Sequence, residues 1–343
     1  MIFFHKLQQY LHYWFALVIL TALPLGYYFP GISKSETVIP WLLFVMLYPM
    51  MINLRIEDVL KAFSNFRLVM ICLVVNFFIS PVLGAIWAYF LFHNADPYLA
   101  LGFILKVTVP CSGMVAAWTG YAKGRVESAL VLVATSFVLA VFMVPVMMWL
   151  LADTYVQVHP FMLFNKMLII VVAPLAAGLI TRRLIVKKVG PKTYKEKIAP
   201  VFPGISTCGV LPMIFIIIAS QADFILANWL WALLVILGIG TLYPIIALIS
   251  LFFAKSADMD YGDTMAIIFS STAKNHAITI GLATAAFGGS LAVFPAAVAP
   301  IIQMPIMLVI LKLSGRIKQT IDGRSSRPRS TGASDDKKDS SHG

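Results

Sequence analysis

Charge is scarce in this chain, and negative charge is scarcer than positive. Only 12% of the 343 residues are charged, with 15 Asp and Glu against 26 Lys and Arg. Every carboxylate falls in a connection, at the end of a hydrophobic run or in the C-terminal tail. Paired carboxylates for acid and base chemistry are therefore missing, as are zinc-ligand spacing and a phosphate-binding loop. The six histidines are scattered, so no catalytic cluster forms along the sequence. An enzyme is not indicated. Polar stretches long enough to form a soluble catalytic domain are also lacking. What fills the chain is hydrophobic, at 60% of residues, and a bilayer is the environment that such a composition fits.

Windows able to cross about 30 Å of hydrocarbon give ten candidate spans. They run over 12–29, 37–53, 68–92, 98–121, 129–152, 161–181, 199–221, 228–253, 263–287 and 292–313. The first has no small-residue cleavage site and continues through Pro24, so it is expected to be retained rather than removed as a signal peptide. A tail over 316–343, rich in Ser, Asp, Lys and Gly, is expected to be disordered. Basic residues cluster in alternate connections: Lys6, then Arg55, Lys61 and Arg67, then Lys123 and Arg125, then Arg182 to Lys197, Lys255 and the residues from Lys312 onward. The opposite connections hold Lys34 and Lys166 alone. This asymmetry predicts both termini on the cytoplasmic side of a plasma (inner) membrane and an even number of spans. It also explains the net charge of +11 without nucleic acid as a partner.

Proline-centred segments recur in order across the two halves. Leu23-Pro24-Leu25 answers Ala173-Pro174-Leu175, Pro49-Met50 answers Pro212-Met213, Pro81 answers Pro244, and Gly124 answers Gly288. With five spans each, an odd number, the halves 1–152 and 153–315 are expected to insert with opposite orientation. Inverted repeats of this kind are found in secondary transporters, where substrate binds near the midplane.

The same overlay sets Pro110, Cys111 and Ser112 opposite Lys274, Asn275 and His276. Pro110 removes a donor and crowds the preceding turn, so the fourth span should break near Val109. Free backbone groups at membrane depth are tolerated only where they face a cavity, a ligand or other protein. Two broken helices, the fourth and ninth, are thus expected to cross near the centre.

Leu47-Tyr48-Pro49-Met50-Met51 with Arg55, and Val109-Pro110-Cys111-Ser112-Gly113-Met114-Val115 with Trp118, resemble the arsenite efflux permeases of the arsenical-resistance type. That family stands with the bile acid:sodium symporters among ten-span inverted-repeat carriers. The resemblance covers most of 12–315. It implies that Cys111 engages trivalent arsenic or antimony, and that spans one, two, six and seven form a panel beside the crossing helices. A soft thiolate suits a soft centre. Nothing in the sequence brings Cys72 or Cys208 to Cys111, and both read as packing residues.

One departure matters. The ninth span of the arsenite permeases resembles an Asn-Asn-Phe-Glu pattern with an acidic residue for proton coupling, whereas this chain reads Lys274-Asn275-His276-Ala277. Sodium coupling is weakened by the same loss, although Asn76, Asn275, Gln303, Ser271 and Thr272 remain as oxygen ligands. Lys274 either stands permanently where relatives bind a coupling cation or exchanges a proton during the cycle. Its positive charge also favours an anionic substrate. Lys106 either snorkels to the outer interface or serves the site. His276 either shares a proton with Lys274, bonds a carbonyl across the crossing, or is a satisfied interior group. The seven tryptophans read as an interfacial belt.

The sequence therefore predicts an all-α membrane protein of ten transmembrane helices in two inverted five-helix repeats. It would move a metalloid oxyanion or, alternatively, an organic anion. The substrate-binding candidates are Cys111, Ser112, Lys274, Asn275 and His276. The supporting polar residues are Lys106, Asn76, Thr272, Ser271 and Gln303. No cofactor and no structural metal are expected, the partners are the lipid bilayer and a small substrate, and coupling to H+ or Na+ is open.

Overall fold

The structure is a computed structural model that describes residues 11–32, 38–53, 65–288 and 290–325. Lys6, Lys34, Arg55, Lys61 and the tail beyond Ser325 lie outside these. Every regular element among the described residues is helical. Helices satisfy their backbone groups within one segment, which hydrocarbon requires. Six helices are long and apolar enough to cross a membrane: Phe66–Phe92, Val126–Ala152, Pro160–Val189, Pro191–Ser220, Trp229–Ser256 and Leu291–Ile321. Shorter apolar helices accompany them.

In chain order the helices are α1 Leu11–Tyr28, α2 Ile39–Ile52, α3 Phe66–Val74, α4 Ser80–Phe92, α5 Pro97–Thr108, α6 Val115–Tyr121, α7 Val126–Ala152, α8 Pro160–Met167 and α9 Ala173–Val189. There follow α10 Phe202–Ser220, α11 Ala222–Ala227, α12 Trp229–Ser256, α13 Tyr261–Thr272, α14 His276–Phe287 and α15 Phe294–Ser325. Two boundaries depart from expectation. The sixth span does not end at 181, because α9 carries Arg182, Arg183, Lys187 and Lys188 out to Val189 before Gly190 turns the chain at φ 83°. The C-terminal segment is helical to Ser325 rather than disordered from 316. Lysine and arginine are good helix formers once outside the apolar layer, and a helix already nucleated by packing extends through them.

Three prolines widen their helices instead of ending them. The π turns Val75–Ile79, Leu168–Val172 and Tyr194–Ile198 each stop two residues before a proline, namely Pro81, Pro174 and Pro200. In each, the residue before the proline bonds five positions back: Ser80 to Val75, Ala173 to Leu168 and Ala199 to Tyr194. A proline ring crowds the preceding turn and brings no N–H, so opening the turn by one residue relieves the clash. Among the described residues, Pro110 is the proline that interrupts a helix outright. Val109 before it is extended, at φ −61° and ψ 158°, the conformation that proline imposes on its predecessor.

α10 packs on α1 and α2, and α9 packs on α2, and these four helices form one packed panel. Small residues bring these backbones together. A side chain at Gly26 would run into the Ala219 backbone, and one at Gly178 would come within 2.8 Å of the Met51 backbone. Close approach of this kind supplies the dispersion contacts that hold helices together in lipid.

Around the two interrupted helices, α5 packs on α14 while α6 packs on α13, with α7, α12 and α15 alongside. One end of this group is tied by Arg125. Its guanidinium donates to Asp260 at 2.6 Å and to Asp263 at 2.6 Å, and Ser128 Oγ donates to the other Asp263 oxygen at 2.6 Å. The hydrogen bond to Asp260, joined by the nearby Asp263 charge, pushes the Arg125 guanidinium above its ordinary value. Asp263 is buried in the first turn of α13, where a negative charge suits the helix N-terminus. Asp263→Ala leaves Ser128 and one guanidinium arm without an acceptor, and it is expected to lower unfolding free energy in detergent by about 1.5–3 kcal/mol. An unchanged unfolding midpoint would show that this tie contributes nothing.

Candidate functional site

The two interruptions meet. Extended backbone at Cys111 pairs antiparallel with Lys274. Ser112 N–H donates to the Ala273 carbonyl at 2.7 Å, and Asn275 N–H donates to the Pro110 carbonyl at 3.0 Å. Each broken helix thus supplies the partners that the other has lost. Four half-helix ends converge on this crossing. Asn275 caps α14 by accepting from Ile278 N–H at 3.1 Å. Cys111, Lys274 and Asn275 are all buried.

Lys274 is fully buried and has two oxygen partners, both on one residue. Its Nζ donates to Asn76 Oδ1 at 2.7 Å and to the Asn76 carbonyl at 3.3 Å. That carbonyl is open for a local reason. Ser80 N–H, its ordinary helical donor, is bonded to Val75, and the next residue, Pro81, has no N–H. The π turn at α3 therefore presents a bare carbonyl and an amide oxygen together, and an ammonium fills both. Asn76 Nδ2 in turn donates to Cys72 Sγ at 3.1 Å.

Cys111 Sγ lies 3.1 Å from Ser136 Oγ on α7. Ser112 is half-buried, and its hydroxyl accepts from Met114 N–H at 3.3 Å. Gln303 on α15 reaches the Lys274 carbonyl at 3.5 Å, and its own Oε1 has no partner. Ser271 and Thr272 point back into their helix, donating to Ile267 and Ile268. Their hydroxyl hydrogens are engaged, and the oxygen lone pairs are not. Asn275 serves first as a helix cap, with its amide nitrogen 3.9 Å from Met50 Sδ.

Lys106 does not snorkel. It is fully buried on α5 with its ammonium 5.9 Å from the Tyr243 ring centroid and without a hydrogen-bond partner. Leaning out would carry its Nζ through packed α5 and α12 rather than into an interface. His276 lies beside the Ala296 backbone, yet neither ring nitrogen has a hydrogen-bond partner, so it neither bonds across the crossing nor shares a proton with Lys274. Lys106 is within electrostatic reach of both Lys274 and His276. The crossing is a basic centre with no carboxylate beside it.

Several neighbours were not visible in the sequence. Met50 of α2 extends from the panel to the crossing, where a side chain on Gly113 would meet its Cε at 2.8 Å. Its signal was the Pro49-Met50 pair, which is matched in the second half. Ser80 donates to the Val107 carbonyl at 3.1 Å near the end of α5. Trp118 is buried and stacks on Phe269 at 6.2 Å between centroids, so it leaves the expected interfacial belt. Cys72 is buried at the crossing, whereas Cys208 is exposed on α10 rather than packed.

The model of the Sodium Bile acid symporter family matches residues 40–228. This chain belongs to that family. Members of the Sodium Bile acid symporter family are transporters rather than enzymes, and this protein is an integral, multi-pass membrane transporter of small ionic substrates. It is 25% identical over 334 residues to the Arsenical-resistance protein Acr3 of Alkaliphilus metalliredigens, covering 91% of this chain and 93% of that protein. To the Arsenical-resistance protein Acr3 of Corynebacterium glutamicum it is 26% identical over 283 residues, covering 78% and 75%. An uncharacterized transporter of Synechocystis is 25% identical over 336 residues, covering 89% and 88%.

The Lys274–Asn76 contact gives this family member a test of its own. Asn76→Leu removes the nearer acceptor from a buried ammonium and is expected to destabilise the protein by about 1.5–3 kcal/mol. Combining it with Lys274→Met removes both partners and is expected to restore most of that loss. Additive losses in detergent unfolding would mean that the two side chains do not depend on each other.

Proposed function

We infer that this transporter is a secondary active carrier that exports arsenite, antimonite or a related oxyanion by alternating access. The observation that carries the reading is Cys111 at the meeting of two interrupted helices, in a chain whose relatives along most of its length include arsenical-resistance proteins. A thiol at that point is a soft ligand between two half-helix pairs, and trivalent arsenic is a soft centre. The architecture that goes with it has ten spans in inverted halves 1–152 and 153–315, with both termini cytoplasmic in the plasma membrane. In favour of this is the reciprocal pairing of α5 with α14 and of α6 with α13. Arsenite accumulation in arsenite-sensitive cells tests the reading. Wild-type protein is expected to lower accumulation several-fold and Cys111→Ser, expressed at the same level, to abolish the effect. Retained protection by Cys111→Ser would remove the thiol from the mechanism.

Lys274 serves in this reading as a built-in cation. Its ammonium occupies an amide oxygen and a bare carbonyl, the kind of ligands a coupling cation would take, and no carboxylate stands near to neutralise a second charge. Transport by the wild type is accordingly expected to be independent of sodium, while Lys274→Ala is expected to be inactive or to require sodium. Unchanged sodium-independent transport by Lys274→Ala would sink the assignment.

A second reading, an organic-anion carrier, is favoured by one specific observation. The buried Lys274 and the half-buried His276 lie within electrostatic reach of the buried Lys106, and no carboxylate is among the groups that act on Lys106 or His276. Uptake of a carboxylate that depends on Lys106, with no metalloid effect, would select this reading over the first.

A further inference from the structure

Cys72 on α3 and Cys111 in the break between α5 and α6 are 39 positions apart in the sequence, yet one chain of contacts links them. Cys72 Sγ accepts from Asn76 Nδ2 at 3.1 Å, Asn76 Oδ1 accepts from Lys274 Nζ at 2.7 Å, and the Lys274 backbone pairs with that of Cys111. Both thiols are fully buried, and each is within electrostatic reach of the other and of Lys274. Ser270 of α13 is fully buried, and its hydroxyl is a shared neighbour of the two sulfurs, so both thiols border one buried polar space. Cys208, exposed on α10, takes no part.

We propose that Cys72 and Cys111 act together as a dithiol site for a trivalent metalloid. The inference rests on the metalloid reading above and deepens it, from one sulfur ligand to two. The chemistry balances without an oxidant. In arsenous acid two As–O bonds break and two As–S bonds form. Each thiol proton leaves with a hydroxide as water, the arsenic stays trivalent, and one hydroxyl remains on it. One sulfur gives a single exchangeable bond. A second, held in the same buried space, makes its own bond intramolecular and raises affinity through effective concentration. Two soft thiolates also select a soft trivalent centre over hard oxyanions of similar size, such as phosphate.

The test uses purified full-length protein with Cys208→Ser, so that two thiols remain, and phenylarsine oxide as probe. One phenylarsine group per chain and loss of both titratable thiols are expected, and Cys72→Ser in this background is expected to bind roughly 100-fold more weakly. Equal affinity after Cys72→Ser, or a thiol still free at Cys72 when the probe is bound, would overturn the proposal. Dibromobimane, which fluoresces once both of its arms are alkylated, gives a second measurement on a chain with both cysteines intact. Fluorescence from the Cys208→Ser protein supports the pair, and none overturns it. Arsenite accumulation then separates the two levels. Export kept in Cys72→Ser but lost in Cys111→Ser rejects the dithiol and leaves the exporter. A chelated probe with no export by any variant supports the dithiol and rejects the exporter.

Discussion

A peptide group freed inside hydrocarbon must find a partner, and in this protein that requirement is met by pairing one interrupted helix with another. Ser112 with Ala273 and Asn275 with Pro110 close two hydrogen bonds across the crossing, which neither helix could make alone. The break at Val109 and the break at Ala273 are therefore one structural event. It brings Cys111 and Lys274 side by side, and it fixes α5 against α14 and α6 against α13. The crossing is a consequence of backbone accounting before it is a collection of side chains.

Around that crossing the polar groups are arranged by what prolines withhold. Pro81 supplies no N–H to the turn before it, the Asn76 carbonyl is left open, and Lys274 takes it together with the Asn76 amide oxygen. A lysine at this depth would be expensive alone. Two oxygens at hydrogen-bonding distance make it tolerable, and they also hold the ammonium at a defined place. Lys106 has no such arrangement. Its company is an aromatic face, which offers a cation some attraction but no hydrogen bond. The centre consequently has one basic group held in place and one still open to a ligand.

Met50 of α2 is one of the contacts between the panel and the crossing. It reaches Asn275 and lies against Gly113, Leu43 of α2 lies beside Gly281 of α14, and the panel itself is held by close backbone contacts at Gly26 and Gly178. A methionine fits such a junction because it is unbranched and polarizable and keeps contact with irregular neighbours.

The sequence by itself determined the membrane setting, the helical class, the break at Pro110 and the absence of carboxylates from the middle of the spans, because each follows from residue type or from local sterics. Its overlay of the two halves set Pro110 opposite Lys274 and Cys111 opposite Asn275. Other features are not given by residue type alone. Asn275 caps a helix, Ser271 and Thr272 donate within their own helix, Trp118 packs inside, and α15 extends through residues expected to be disordered. Only the tertiary structure decided that Asn76 receives Lys274, that Lys106 is enclosed, and that Cys72 faces the same region as Cys111. These meetings join segments far apart in sequence, and no periodicity or propensity records which helix faces will be packed together.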